Sequence, residues 1–569
     1  MIGFNYMKIR MLDVSNFRGI SKLTWSPNPG TSCLIGPGDS TKSTILTAIE
    51  YVLHPRHDLQ ILDTDFHNQN LGTPFDIQIV LGDLPPSFLS DDLFGLQLSG
   101  FDLDSGRLSD EPENGLEQVL HITLSVSDAL IPEWTIKGDP LHNLKRSKIS
   151  VTRLTEKIDT HISWSKGSAL SKATQNVGLA PNLPDVFRSA AQSFNESIPE
   201  ELSEATKTVT TASEKLGLHL DNLTPGLLQS RFQTKWGALG LFVDKVPIFH
   251  LGLGSKKLLA LALQKIHTPK HTILLIDEIE TGLEPNRIQK LLLEFGCLNG
   301  TEDNQIIFTT HSPTPIIRLP ASSLCFVQNN SGIISVKKIP KPTEKQNIIR
   351  TYGASLLARK LIVGEGATEV GLMKGFLTHH EINDIPALLY FNVDFIDGRG
   401  CTCAPQHAID FQEIGYHCFL LADSDEPISP AKEEVTGKGV QVALWDGSTA
   451  TEERLFLDLP AKNLKVLIDY VIEERGEASV FDTIKRTYAN DPGLFPDIDI
   501  ESRYQLKTKD TYTESERKLL GKTAKRKSWY KNITSGEKLG EELADAFDHI
   551  EGTPTHNVLS EILTWLKND

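Results

Sequence analysis

Apolar runs that stop abruptly at charged or small polar residues are the dominant pattern in this chain. Met7 to Ile20 alternates apolar with polar positions, as a strand with one covered face does, and ends in Phe17-Arg18-Gly19. Continuous apolar stretches follow at Ser32 to Ile35, His271 to Ile276, Gln305 to Thr310, Leu361 to Val363, His417 to Leu421 and Val440 to Trp445. Runs without alternation predict strands covered on both faces, the arrangement of parallel sheets in α/β proteins. Helical spacing is expected over Ser43 to Glu50 and Leu258 to Gln264. A third helix carries apolar residues at Ile198, Leu202, Ala205, Val209, Ala212 and Leu216, a heptad seam too short for an extended coiled coil. It reads either as a small dimerisation arm or as one face of an ordinary core helix.

These elements fall into two blocks. The Pro/Lys-rich stretch Ser335 to Lys345 reads as a connector, so the expected domains are 1–345 and 355–569, with an irregular insertion at about Leu84 to Trp236 inside the first. The 569 residues allow roughly four average domains or two large ones. No run approaches the ~18 apolar residues needed to span a bilayer, and the N-terminus lacks a secretory apolar segment, so a cytoplasmic protein without membrane attachment is expected. The six cysteines, at 33, 297, 325, 401, 403 and 418, have no disulfide-scaffold spacing and are expected as thiols. Cys401-Thr402-Cys403 with His407 lacks a second cysteine pair at finger spacing and reads as a loop turn rather than a zinc site. A net charge of −17 excludes bulk electrostatic attachment to nucleic acid, leaving any DNA contact to local basic patches.

The candidate chemistry of the first block is phosphate binding. Gly36-Pro37-Gly38-Asp39-Ser40-Thr41-Lys42-Ser43-Thr44 follows the spacing G-x4-G-K-[ST], except that Thr41 stands at the second glycine position. A β-branched residue forced to positive φ there costs about 1 kcal/mol or more, so a relaxed loop or weakened nucleotide binding is expected. Lys42 suits the β- and γ-phosphates of ATP and Ser43 suits Mg²⁺, with the helix N-terminus behind them. The strand ending at Asp277-Glu278 is the Walker B arrangement, in which Asp277 orients Mg²⁺ and Glu278 polarises the attacking water. Gly252-Leu253-Gly254-Ser255-Lys256-Lys257 looks like a degenerate signature motif, Glu280 to Pro285 like a D-loop, and His311 like a switch histidine that senses the γ-phosphate. In this order the motifs resemble the ABC-type heads of recombination and chromosome-maintenance ATPases, which implies ATP hydrolysis across a homodimer or higher homo-oligomer.

In the second block, an apolar run delivers Glu365 into the turn Gly364-Glu365-Gly366, and Glu369 lies one helical turn on. The run 417–421 ends in Asp423-Ser424-Asp425, whose two acids share one face of an extended backbone. Four converging oxygens suit a hard divalent ion such as Mg²⁺. Glu452 and Glu453 either add a carboxylate or favour a helix N-terminus. The stretch Arg517 to Lys531 sets Trp529 and Tyr530 among seven cations and suits a phosphate backbone with stacking aromatics.

Glu followed by Asp-x-Asp, each after a buried strand, resembles the Toprim fold of topoisomerases, primases and certain nucleases. An ABC-type head fused to such a Rossmann-like, parallel-sheet domain resembles the OLD (overcoming lysogenisation defect) family. The resemblance implies a nucleotide-governed DNA endonuclease working by two-metal phosphodiester hydrolysis with Mg²⁺ or Mn²⁺, often serving in phage defence, alone or beside a helicase or a retron reverse transcriptase with its DNA. It also implies that Glu365 and Glu369 form the first acidic motif, Asp423 and Asp425 the second, and Lys531, with Lys527 in reserve, the late basic position. Two alternatives stand beside it: a non-nucleolytic repair or chromosome-maintenance ATPase of the RecF/SMC-like class, and topoisomerase- or primase-like catalysis.

Overall fold

In the computed structural model, the described residues are 7–55, 59–146, 148–149, 151–154, 159, 162–163, 170, 200–220, 222–227, 239–267, 273–301, 304–495, 498 and 511–568. The chain divides into two compact units, Met1–Gly353 and Ala354–Asp569. Among the described residues no helix is long and apolar enough to cross a membrane.

The first unit is built on a 14-stranded mixed sheet. Its parallel part runs Val151–Leu154, Ile273–Ile276, Gln305–Thr309, Thr31–Ile35 and Leu324–Asn330, in that spatial order. Ile273–Ile276, Gln305–Thr309 and Thr31–Ile35 are buried at every position, as their continuous apolar character requires. Because these three strands are neighbours and parallel, the residues that follow them emerge side by side at one sheet edge, where α/β folds place ligands. Lys8–Phe17 instead pairs antiparallel with Ile20–Trp25 and Phe75–Gly82, which fits its alternating pattern. The two regions are tied by Gln305, whose buried amide accepts from the Ile9 N–H at 2.7 Å and donates to Ile9 and Asn28 carbonyls at 3.2 and 2.7 Å.

Three expectations change here. The early part of the stretch read as an irregular insertion is sheet: Glu117–Val126 pairs antiparallel with Phe75–Gly82 and buries Leu120, Ile122, Leu124 and Val126 at every second position. The heptad residues sit on the helix Glu200–Lys215, with Ile198 outside the described residues, but Leu202, Val209 and Leu216 are buried within this chain. The helix packs on Leu253–His267 and on the strand Leu223–Leu227, so that seam belongs to the unit's own interior rather than to an exposed dimerisation arm. The stretch expected as a connector holds the end of strand Ile333–Lys338 and the start of helix Pro342–Tyr352; Val336 packs against the core. His271, Thr272 and Trp236 lie outside the described residues.

The second unit contains a parallel four-stranded sheet in the order Val393–Asp397, Lys360–Gly364, His417–Ala422, Gln441–Leu444. Helices Ala367–His379, Ala404–Ile414 and Lys432–Gly437 lie in the three crossovers, and from Thr451 onward the described structure is helical. Helices Ala367–His379 and Ile533–Ala546 touch backbone to backbone: a Cβ on Gly540 would lie 2.1 Å from the Leu372 carbonyl oxygen. Lys360 is buried, and its Nζ donates to the terminal carbonyls of Trp565, Leu566 and Asn568, capping the helix Pro554–Lys567 from the start of the first sheet strand.

Candidate functional sites

In the first unit, the phosphate loop lies between strand Thr31–Ile35 and helix Lys42–Val52. Thr41 has φ 66° and ψ 17°, the left-handed conformation that a glycine would adopt without steric cost, so the expected strain is present. Its methyl group rests on Gly19: a Cβ there would meet Thr41 Cγ2 at 2.8 Å. Gly19 thus makes room for the bulk that Thr41 introduces. Lys42 is folded onto its own loop, its Nζ donating to the carbonyls of Gly36 at 3.0 Å and Pro37 at 2.7 Å and to Ser40 Oγ at 3.0 Å. Burial pulls its pKa down to about 8, against the opposing pull of Asp39, Glu280 and Asp277. Gly38 has open space around it, and Thr44 is half-buried on the helix's first turn.

Asp277 follows the strand Ile273–Ile276 and is bonded on both carboxylate oxygens. Ser43 Oγ and Thr309 Oγ1 each donate to Oδ1 at 2.8 Å, and Arg153 donates to Oδ2 at 2.8 Å. A hydroxyl and a carboxylate facing each other at the start of a phosphate-loop helix fit Mg²⁺, which takes one or two protein oxygens and completes its shell with phosphate and water. Glu278 is held at φ 44° by three groups: its N–H donates to Thr309 Oγ1 at 2.8 Å, its carbonyl accepts from Lys257 Nζ, and its Oε2 accepts from Thr281 Oγ1 at 2.8 Å. Lys257 is itself 4% exposed, and burial lowers its pKa to about 8. Glu280 accepts from the His311 N–H at 2.5 Å and from Thr310 Oγ1 at 2.7 Å, which fixes the loop that presents the exposed His311 side chain. Gly254 approaches the Gly282 carbonyl so closely that a Cβ would lie 1.9 Å away, joining the signature-like turn to the D-loop-like turn. Arg153 and Thr309 are participants the sequence reading gave no role, and nothing in their local spacing marks them; Lys257 and Glu280 were read only as members of the signature-like and D-loop-like turns.

In the second unit, Glu365 and Asp423 come together from adjacent strand ends, Asp423 N–H donating to Glu365 Oε2 at 3.0 Å. Glu369 turns inward: Oε2 accepts from the Gly366 N–H at 2.8 Å, and Oε1 lies 2.7 Å from Thr451 Oγ1. The Thr451 hydroxyl also lies 2.7 Å from Asp423 Oδ1 and accepts from Trp445 Nε1 at 2.7 Å. A hydroxyl has one proton to give, so it cannot serve two carboxylates. A proton on Glu369 balances the chain, with Trp445 and Glu369 donating to Thr451, and Thr451 donating to Asp423. Burial and the Asp423 charge raise the pKa of Glu369 to about 8, in agreement with a neutral acid. Burial also raises Glu365 and Asp423.

The expected four-carboxylate cage is not assembled. Among the described residues no group of three or more His, Cys, Asp or Glu side chains is placed to hold a metal ion. The strand ends at Ala422, before Asp423 and Asp425; the charge of Asp425 acts on Glu365 and Asp423, and its carboxylate pairs with Lys525 of the basic stretch. Glu369 is bonded on both oxygens, which leaves Glu365 and Asp423, linked by the Asp423 N–H bond to Glu365 Oε2, as the acids that would hold a hard cation. Glu452 is 1% exposed and its Oε1 has no hydrogen-bond partner among the described residues, while Glu453 accepts from the Ala450 N–H at 3.1 Å and caps the helix Thr451–Asp458. Lys531 is exposed, with its charge acting on Glu365, Asp423 and Glu452.

The basic stretch is reorganised as well. Trp529 and Tyr530 are 3% and 0% exposed, packed in the core, and cannot stack on bases. Arg517 caps the carbonyls of Phe456, Leu457 and Leu459, Lys518 pairs with Glu514, and Lys522 and Arg526 share Asp491. Lys527 is exposed at the end of helix Glu514–Arg526. Cys403 precedes the helix Ala404–Ile414 in a turn, and Cys401 and Cys403 are free thiols.

The phosphate loop, the acidic strand end and the shared sheet edge define a nucleotide-binding ATPase domain of the P-loop type. Residues 32–315 match the family described as "AAA domain, putative AbiEii toxin, Type IV TA system"; the match does not extend into 354–569. A comparison with curated proteins finds no match. Among solved structures, an Smc head bound to the C-winged helix domain of ScpA is 17% identical, with 59% of this chain and 99% of that chain covered at a TM-score of 0.38. The recombination mediator RecF with ATP is 12% identical, covering 59% and 99% at 0.36, and the SMC head domain from Thermotoga maritima is 13% identical, covering 58% and 99% at 0.31.

Proposed function

We propose that the chain is an ATP-hydrolysing enzyme whose first unit binds MgATP and whose nucleotide state governs the second unit. The observation that carries this reading is the convergence of Ser43, Asp277, Glu278 and Thr309 from neighbouring strand ends beside Lys42. Lys42 would exchange its loop carbonyls for phosphate oxygens, Ser43 and Asp277 would hold the magnesium ion that accompanies the nucleotide, and Glu278 would take the proton of the attacking water. When bound, the ion neutralises charge on the phosphates. The adjacent turns at Gly254 and Gly282 would face the nucleotide of a second copy, so the active form is a homodimer or higher homo-oligomer. A role of the RecF/SMC-like kind, in DNA repair or chromosome maintenance with DNA as partner, fits this engine without any further catalytic site. The test is MgATP turnover by the full chain: Lys42→Ala should abolish nucleotide binding, and Glu278→Gln should keep binding while stopping hydrolysis. Unchanged turnover in both variants rules the reading out.

A second reading is favoured by the pairing of Glu365 with Asp423 beside Lys531: a Toprim-like, OLD-like endonuclease using Mg²⁺ or Mn²⁺. Here Glu365 and Asp423 would hold the cation and Lys531 would steady a phosphate oxygen. Metal-dependent nicking of supercoiled plasmid that is lost in Glu365→Ala supports it; full activity in that variant, or none in the wild type, leaves the ATPase alone.

A further inference from the structure

The guanidinium of Arg153 is the most heavily engaged charged group near the nucleotide site, and none of the motifs contains it. It stands on the strand Val151–Leu154, which lies at the end of the sheet beside the strand that delivers Asp277. Its side chain is 8% exposed. One terminal nitrogen donates to Thr47 Oγ1 at 2.8 Å and Glu50 Oε2 at 2.9 Å, and the other to Asp277 Oδ2 at 2.8 Å and the Ser43 carbonyl at 3.4 Å. The planar fork therefore clamps the first turns of the phosphate-loop helix to the acidic strand end.

We propose that Arg153 is a positioning residue that, acting through Asp277, sets how tightly the head holds the magnesium ion of MgATP. This rests on the ATP reading of the same site. Two effects oppose each other. A cation 2.8 Å from a metal-binding carboxylate repels the incoming ion, whereas a fixed carboxylate loses no orientational freedom on binding it. Glu50 decides between them: paired 2.9 Å from the same guanidinium, it offsets the repulsion and leaves the orienting effect. Oδ1 of Asp277 is aligned with the Ser43 hydroxyl because Oδ2 is fastened behind it.

The test is equilibrium binding of a fluorescent ATP analogue to the full chain over a series of Mg²⁺ concentrations, with thermal unfolding without Mg²⁺ as the check on folding. Arg153→Gln should raise the half-saturating Mg²⁺ concentration by about tenfold or more, the usual scale for groups that orient metal ligands. Arg153→Lys keeps the charge but not the fork and should fall between wild type and Arg153→Gln. Glu50→Gln leaves the cation uncompensated and should also raise the Mg²⁺ requirement. An unchanged or lowered requirement in Arg153→Gln overturns the proposal, as does Arg153→Lys behaving as wild type; if Arg153→Gln does not fold, the lysine variant decides. Absence of Mg²⁺-dependent binding in the wild type would instead overturn the ATP reading itself.

Discussion

Glutamine at position 369 reproduces the shape of a neutral glutamic acid without its titration. In the wild type, Glu369 is buried between the Gly366 N–H and the Thr451 hydroxyl, and its carboxyl is raised from 4.5 to about 8. The folded protein therefore holds a proton that the unfolded chain releases above about pH 4.5. Native protons exceed unfolded protons between these two values, so the contribution of this group to stability is greatest below pH 4.5 and falls as pH rises toward 8. From 4.5 to 7 is 2.5 pH units, and at about 1.4 kcal/mol per unit the loss by pH 7 is roughly 3–4 kcal/mol. In Glu369→Gln the amide oxygen accepts from Gly366 and the amide nitrogen donates to Thr451, so the bonds survive and the pH-dependent loss disappears. Urea unfolding of both proteins at pH 5 and pH 8 should give similar stabilities at the acid end and a variant more stable by about 2 kcal/mol or more at the alkaline end. Parallel pH profiles would refute the neutral-acid network, and so would a variant destabilised at both pH values.

Thr41→Gly removes left-handed strain of roughly 1–2 kcal/mol but adds unfolded-state freedom of roughly 0.5–1 kcal/mol, so stability should change by under about 1 kcal/mol. Nucleotide affinity should rise as the loop is relieved, measured by titration with ATP, and weakened binding would count against the strain. Gly540→Ala forces apart two helices whose backbones leave 2.1 Å for the new carbon; a loss of about 1–3 kcal/mol or more in urea unfolding is expected, and one below about 0.5 would show the crossing to be slack. Lys360→Met strips three terminal carbonyls of their buried donor and should lower the stability of the second unit by about 1–3 kcal/mol, read as a lower denaturation midpoint.

The strands that carry the chemistry were legible because their apolar runs are unbroken and end in acids. Ile273–Ile276 and His417–Ala422 need only burial on both faces to explain their composition. The phosphate loop was legible for a related reason: its glycine, lysine and hydroxyl must follow one another for the helix to point at a phosphate. The alternation of Leu120, Ile122, Leu124 and Val126 was equally readable as sheet but was passed over inside a polar, proline-rich stretch. Failure came where one residue type serves two purposes. Trp529 and Tyr530 sit among lysines as a nucleic-acid surface would have them, yet aromatics also fill cores, and only the packing of the surrounding helices shows which. A heptad seam likewise does not say whether its partner is another chain or the next helix of the same one.

What no local reading could supply is the second contact of each acid. Asp277 is pinned by Thr309, 32 residues on, and by Arg153, 124 residues back. Asp423 is pinned by Thr451, 28 residues on, and Asp425 by Lys525, 100 residues on. Both units therefore follow one physical logic. A strand end brings a carboxylate to the sheet edge, a threonine hydroxyl fixes one of its oxygens, and a cation from a remote element holds an acid of the same loop or motif. Mutual repulsion makes such partners necessary, because carboxylates crowded at a sheet edge without donors would be driven toward protonation or outward into water. In the second unit the donors fall one proton short, and Glu369 closes the deficit by keeping its own. The chemistry of each site consequently depends on the remote partner as much as on the motif, and substitution at Arg153 or Lys525 should change the behaviour of Asp277 or Asp425 while leaving every motif residue in place.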